Sequence, residues 1–244
     1  MSTDDPMPLV AHLRELRDRF RNALIAVFVA FLGLFPFANQ LYTYVSEPLR
    51  SLLPEGSSMI ATEVTSPFLT PFKLSLVLAV FVAMPVILAQ LWGFIAPGLY
   101  KSERRIAIPL LTSSVVLFYA GVAFAYYVVF PLLFGFFTTV GPVDISVMTD
   151  INRYLDFVLK LFFAFGLAFE VPVAAVILIL TGVVTADQLA NNRSYVIVGC
   201  FVMGMLLTPP DAISQTLLAL PMWLLFEIGL VMGRILSRSP SDHE

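Results

Sequence analysis

Apolar runs too long for the interior of a water-soluble domain dominate this chain. Residues 23–41, 72–94, 106–137 and 154–181 are almost uninterruptedly hydrophobic, and about 20 such residues suffice to cross the ~30 Å hydrocarbon layer of a bilayer. Of the 244 residues, 59% are hydrophobic and only 13% charged, too little polar surface to wrap a globule in water, so the solvent is lipid. Lipid offers no partner to a bare N–H or C=O, which leaves helices or a closed barrel as the spanning structures. Continuous apolar runs without strand-like alternation select helices. The expected fold is an all-α integral membrane protein, one membrane domain over residues 1–244.

The last apolar stretch, from Tyr195 to Arg234, is broken by Thr208-Pro209-Pro210-Asp211, which reads as a turn because proline lacks a donor and restricts the residue before it. The break yields two short spans, 195–207 and 214–233. The former is roughly 20 Å long at 1.5 Å per residue, so it either crosses a locally thinned bilayer or forms a re-entrant pair with its successor. Two short crossings are the preferred reading, giving six spans. With the N-terminus inside, cytoplasmic segments hold ten lysines and arginines (Arg14, Arg17, Arg19, Arg21, Lys101, Arg104, Arg105, Arg193, Arg234, Arg238) against four outside. That asymmetry places both termini in the cytoplasm. Residues 42–70 form the largest outside segment, a cap too small to be a domain. Prolines at 36, 85, 109, 131, 172 and 221 predict kinked helices and a curved bundle.

Function classes fall away quickly. A net charge of −3 gives no reason to expect a nucleic-acid partner. The single cysteine, Cys200, excludes a disulfide framework, and the two histidines, His12 and His243, lie outside the spans. No zinc-protease motif, phosphate-binding glycine loop or nucleophile elbow is present, so neither an enzyme nor a cofactor is expected. The polar opening Met1–Asp5 does not resemble a removable signal peptide.

A few polar residues remain for function. Glu170 lies within span 154–181, where a charge costs roughly 2.5–3.5 kcal/mol on insertion scales and so has a reason to be there. It is either a hydrogen-bonded packing carboxyl or a functional group. Lys160, about 15 Å away along the helix, is expected to pair with Asp156 at i−4. Glu15, in the basic amphipathic segment His12-Leu-Arg-Glu-Leu-Arg-Asp-Arg-Phe, has Arg19 at i+4 as a local partner. Glu103, in Tyr100-Lys-Ser-Glu-Arg-Arg, has no basic residue three or four positions away and is available to an external cation. Two carboxylates on one face suit bidentate guanidinium groups and so favour arginine over lysine. Asp211 and Gln215 sit where they could cap the last span, Met205 and Leu206 read as lipid-facing bulk, and Gly229-xxx-Gly233 fits small-residue helix packing.

Five segments, in order, resemble the TatC family, the multi-spanning core of the twin-arginine protein translocase. They are His12-Leu-x-Glu-Leu-Arg17, Met59-Ile-Ala-Thr-Glu-Val-Thr-Ser-Pro-Phe68, Phe94-Ile-Ala-Pro-Gly-Leu-Tyr-Lys-Ser-Glu-Arg-Arg105, Phe165-Gly-Leu-Ala-Phe-Glu-Val-Pro172 and Gly204-Met-Leu-Leu-Thr-Pro-Pro-Asp-Ala-Ile-Ser-Gln215. The resemblance implies six helices in a concave bundle in a bacterial inner membrane, exporting folded cargo on the proton-motive force. It further implies a signal-peptide site on cytoplasmic segments 8–22 and 95–105, carried by Glu15, Arg17, Phe94, Glu103 and Arg105. Partner helices of the single-span TatB and TatA type would dock at Met205, Leu206, Thr208 and Gln215. Pro48, Phe68 and Asp211 would belong to the outside cap, Glu170 would act within the membrane, and the chain would self-associate. The residues alone leave two other readings open: a proton- or cation-coupled secondary transporter using Glu170, and, with far less support, an intramembrane protease built on Glu170 and Asp211.

Overall fold

A computed structural model of the chain describes residues 9–50, 59–95, 104–140, 149–207 and 212–237. All regular structure among them is helical. Helix α1 (Leu9–Leu34) passes through a single 3-10 turn, Phe35–Phe37, into α2 (Ala38–Arg50). Pro36 sits in that turn, where its missing N–H is least costly. The 35 residues Leu13–Glu47 therefore form one long apolar element, and the helix of the first span runs on into the segment read as cap.

Helices α3 (Ser66–Val82) and α4 (Met84–Ile95) meet at a 48° bend. Pro85 causes it, because its ring nitrogen cannot bond the Phe81 carbonyl one turn back. That oxygen, deprived of its i+4 donor, takes a bond from another helix: the Tyr119 hydroxyl donates to it at 2.9 Å. Tyr119 belongs to α5 (Arg104–Phe124), which continues through a π-helical turn, Ala125–Val129, into α6 (Phe130–Val140). The Phe130 N–H reaches back five residues to the Ala125 carbonyl, just before Pro131 removes the next donor. Helix α7 (Ile151–Ala168) is separated from α8 (Val171–Leu180) by Phe169 and Glu170, two residues before the helix-breaking Pro172. A short α9 (Ala186–Asn191), opened by a Thr185–Gln188 capping box, leads into α10 (Arg193–Leu207) and α11 (Ala212–Ser237). Among the described residues four helical elements are long and apolar enough to span, five counting the bent α3–α4 pair. Helix α10, at 15 residues, is shorter.

Helix α7 runs through the core. Leu155, Val158, Leu161 and Phe165 are fully covered, and two glycines bring neighbours close. Any Cβ on Gly166 would strike the Phe118 ring, and one on Gly121 would strike the Phe165 carbonyl, the small-residue contact by which helices approach in lipid. The N-terminal end of α7 is tied down by Asp150. Its carboxylate caps the helix through the Asn152 and Arg153 N–H groups (2.9 and 3.0 Å) and accepts from the Thr62 N–H and hydroxyl (3.0 and 2.6 Å). Those charge-stabilising bonds, led by the Thr62 hydroxyl, pull its pKa down to about 2. A β-bridge between Ile60 and Asp150 runs alongside, and Tyr154 donates to the Val45 carbonyl at 3.0 Å. The end of α2, the segment before α3 and the start of α7 thereby form one polar knot.

Candidate functional site

Glu15 lies on α1, which packs along α3 and α4. Its Oε1 accepts from both Nε (2.8 Å) and Nη2 (2.5 Å) of Arg19, one turn on, and both side chains are about one-quarter exposed. The local partner expected from the i+4 spacing is therefore in place. Its consequence is less local. Arg19 lays its guanidinium across Gly93 of α4, in the space a side chain there would fill. The carboxylate, the guanidinium and Gly93 beside the half-buried Phe94 thus form one patch, while Oε2 of Glu15 takes no hydrogen bond among the described residues. Arg17, 70% exposed, turns away to Asp18 at 3.0 Å. Glu103 lies outside the described residues, directly before the first residue of α5. Arg105 is in α5, but its side chain is outside them too.

Glu170 occupies the break between α7 and α8. Ser114 of α5 donates to its Oε2 at 2.6 Å, and Oε1 is buried with no partner among the described residues. Half of the carboxyl is therefore committed to packing and half is not. On α10, Met205 and Leu206 are 51% and 65% exposed, and Gly204 beside them rests on the Gln215 backbone of α11, whose carbonyl would sit 3.2 Å from an added Cβ. Gln215 and the exposed pair thus flank one helix–helix seam. Thr208 and Asp211 lie outside the described residues. Pro48 is in α2, with its side chain undescribed. Phe68 is exposed and stacks on Phe72.

Three arrangements escaped sequence reasoning. Lys160 does not pair with Asp156; Lys73 of α3 takes that carboxylate instead, from 83 residues away. Arg193 grips Glu227 with two bonds (2.6 and 2.8 Å), tying the start of α10 to α11, and Arg234 reaches Asp187 of α9 at 3.0 Å. Asp150 carried a readable signal, an acidic residue just before an apolar helix, but its bonds to Thr62 depend on chain 88 residues distant.

Comparison with known proteins fits this geometry. Residues 11–221 match the family "Sec-independent protein translocase protein (TatC)". The TatC protein of Azotobacter chroococcum mcd 1 is 64% identical over 231 residues, covering 95% of this chain and 91% of that protein. The TatC protein of Escherichia coli (strain K12) is 57% identical over 234 residues, covering 96% and 91%. A crystal structure described as the twin arginine translocase receptor TatC superposes with a TM-score of 0.83 at 39% identity, over 93% of this chain and 100% of that one. A second, determined in the detergent DDM, gives 0.84 at 40% identity, over 91% and 99%. Matched across nearly its whole length in sequence and in fold, the chain belongs to the TatC family of Sec-independent protein translocase proteins.

Proposed function

We propose that this chain is the receptor and assembly core of a twin-arginine export system. It crosses a bacterial inner membrane six times, with both termini cytoplasmic, and binds signal peptides of folded cargo at Glu15 and Glu103, with Arg17, Phe94 and Arg105 alongside. The observation that carries this reading is Glu15: its carboxylate already holds one guanidinium, that of Arg19, and its second oxygen takes no hydrogen bond among the described residues. A site that accommodates a guanidinium against a carboxylate and a glycine suits the planar fork of arginine rather than the point charge of lysine. Met205, Leu206, Thr208 and Gln215 form the docking face for single-span TatB- and TatA-type helices, Pro48, Phe68 and Asp211 belong to the outside cap, where Pro48 helps hold the assembly together, and the chain self-associates in the receptor complex. The short α10 supports a thinned bilayer on that side, within which the Glu170 oxygen that has no partner among the described residues attracts water or a polar partner group. Transport draws on the proton-motive force, and the chain acts as a translocase component rather than an enzyme. For the Glu170 transporter reading, Ser114 holds one oxygen of that carboxyl within the packed helices, which favours a packing role, while the other oxygen has no partner among the described residues.

A photo-crosslinker at position 103, in membranes offered a twin-arginine signal peptide beside its Lys-Lys variant, tests the proposal. Capture of the Arg-Arg peptide alone, abolished by Glu15→Gln, is the expected result. Equal capture of both peptides, or export undiminished in Glu103→Gln, overturns the site.

A further inference from the structure

Between α3, α7 and α10 runs a groove of about 420 Å³, floored by apolar side chains such as Val77, Phe163 and Met203 and edged by Lys73, Asp156 and Lys160. Lys73 and Asp156 lie toward the N-terminal end of α7, Lys160 stands near its middle, and the apolar floor runs deeper along the helix. Lys73 and Asp156 neutralise one another. Lys160 is exposed and has no hydrogen bond or ion pair among the described residues, so the edge carries one unbalanced positive charge. It stands roughly 15 Å beyond Asp150 along the helix, and helical side chains leave the backbone tilted toward the N-terminus, here the direction in which a lysine would snorkel. A bare ammonium above a hydrocarbon-lined slot, within a span, calls for an amphiphile of opposite charge.

We propose that this groove binds one anionic phospholipid, its phosphate at Lys160 and an acyl chain along Phe163 and Met203. The net +1 of the edge matches a headgroup of charge −1 and gains less from a zwitterionic one, whose own cation offsets its phosphate. Lysine serves as a point charge for phosphate and needs no planar fork. A partner helix is the poorer occupant, because it would have to carry a carboxylate to the same depth. This site stands apart from the signal-peptide face and does not rest on it.

The test is native mass spectrometry of the full chain in neutral detergent, titrated with dioleoyl phosphatidylglycerol, dioleoyl phosphatidylcholine or inorganic phosphate. Phosphatidylglycerol is expected to form a one-to-one adduct in preference to phosphatidylcholine. Lys160→Met should weaken it about fivefold, the contribution of one basic residue to anionic lipid binding, and Lys160→Arg should restore it. Ala164→Trp, which fills the groove and leaves the charges, should also remove the adduct. Equal binding of the two lipids, an undiminished phosphatidylglycerol preference in Lys160→Met, or an adduct reproduced by inorganic phosphate alone each overturns the proposal. So does a crosslinker at Phe163 that captures a protein segment in membranes and no lipid.

Discussion

Gly229 and Gly233 differ in what a methyl group would meet, and that difference can be measured. Both face α8 from α11. A Cβ at Gly229 would sit 2.6 Å from Cα of Pro172 and 3.1 Å from its carbonyl oxygen. Ordinary contact starts at 3.4 Å, so the two helices must part by close to 1 Å in an interior packed as densely as a crystal. Pro172 has its φ locked by the ring and cannot yield. At Gly233 the first obstacle is Cδ1 of Ile179, the far end of a flexible side chain, and the next atom is already at 3.4 Å. Replacing a mid-helix glycine by alanine gains about 1 kcal/mol of helix propensity at either position, so the difference between the two variants isolates the clash. Gly229→Ala should therefore be about 1–3 kcal/mol less stable than Gly233→Ala, a gap on the order of 5 °C in thermal midpoint for a chain of this size. Thermal unfolding of the purified proteins in one detergent, followed by helical circular dichroism, reads that gap. Coincident melting, or Gly233→Ala as the weaker protein, would refute the inference that the α8–α11 seam closes on the Pro172 backbone.

Two further outcomes follow from the polar contacts. Asp150 has its pKa lowered from 3.8 to about 2; the folded state therefore favours the charged form, and the stabilisation is full above 3.8 and disappears as pH falls toward 2. Wild-type protein should be more heat-stable than Asp150→Asn at neutral pH, with the gap closing between about pH 5 and about pH 2; a gap independent of pH would show that the cap does not depend on the charge. Ser114→Ala leaves both oxygens of Glu170 without the observed hydroxyl partner and should cost about 1–3 kcal/mol. Ser113→Ala, which removes only a bond to the Leu110 carbonyl of its own helix, should be nearly neutral, and equal losses from the two would show that Ser114 does not serve Glu170.

What could be read ahead of the structure, and what could not, divides by the distance over which the governing physics acts. Helices were legible because lipid forces each span to satisfy its own backbone, and the breaks at Pro85 and Pro172 because a missing N–H acts on the turn before it. Glu15 and Arg19 pair as their spacing dictates, since the neighbouring α4 meets Arg19 with a glycine, Gly93, and not with a competing charge. Asp156 obeys no such rule. Lys160 stands at the favourable i+4 position, yet a helical pair of that kind is worth only ~0.2–0.5 kcal/mol, and the folding of α3 against α7 presents a competing lysine from position 73. Once an interhelical partner is available at comparable energy, tertiary placement decides, and no pattern within the helix records it. Asp150 makes the same point: its N-cap role is local and readable, while its two bonds to Thr62 depend on the strand-like pairing of Ile60. The consequence for Lys160 is physical rather than historical. A lysine displaced from its local carboxylate by a distant one remains charged, and beside an apolar groove that charge, unpaired among the described residues, is the one the proposed lipid phosphate would meet.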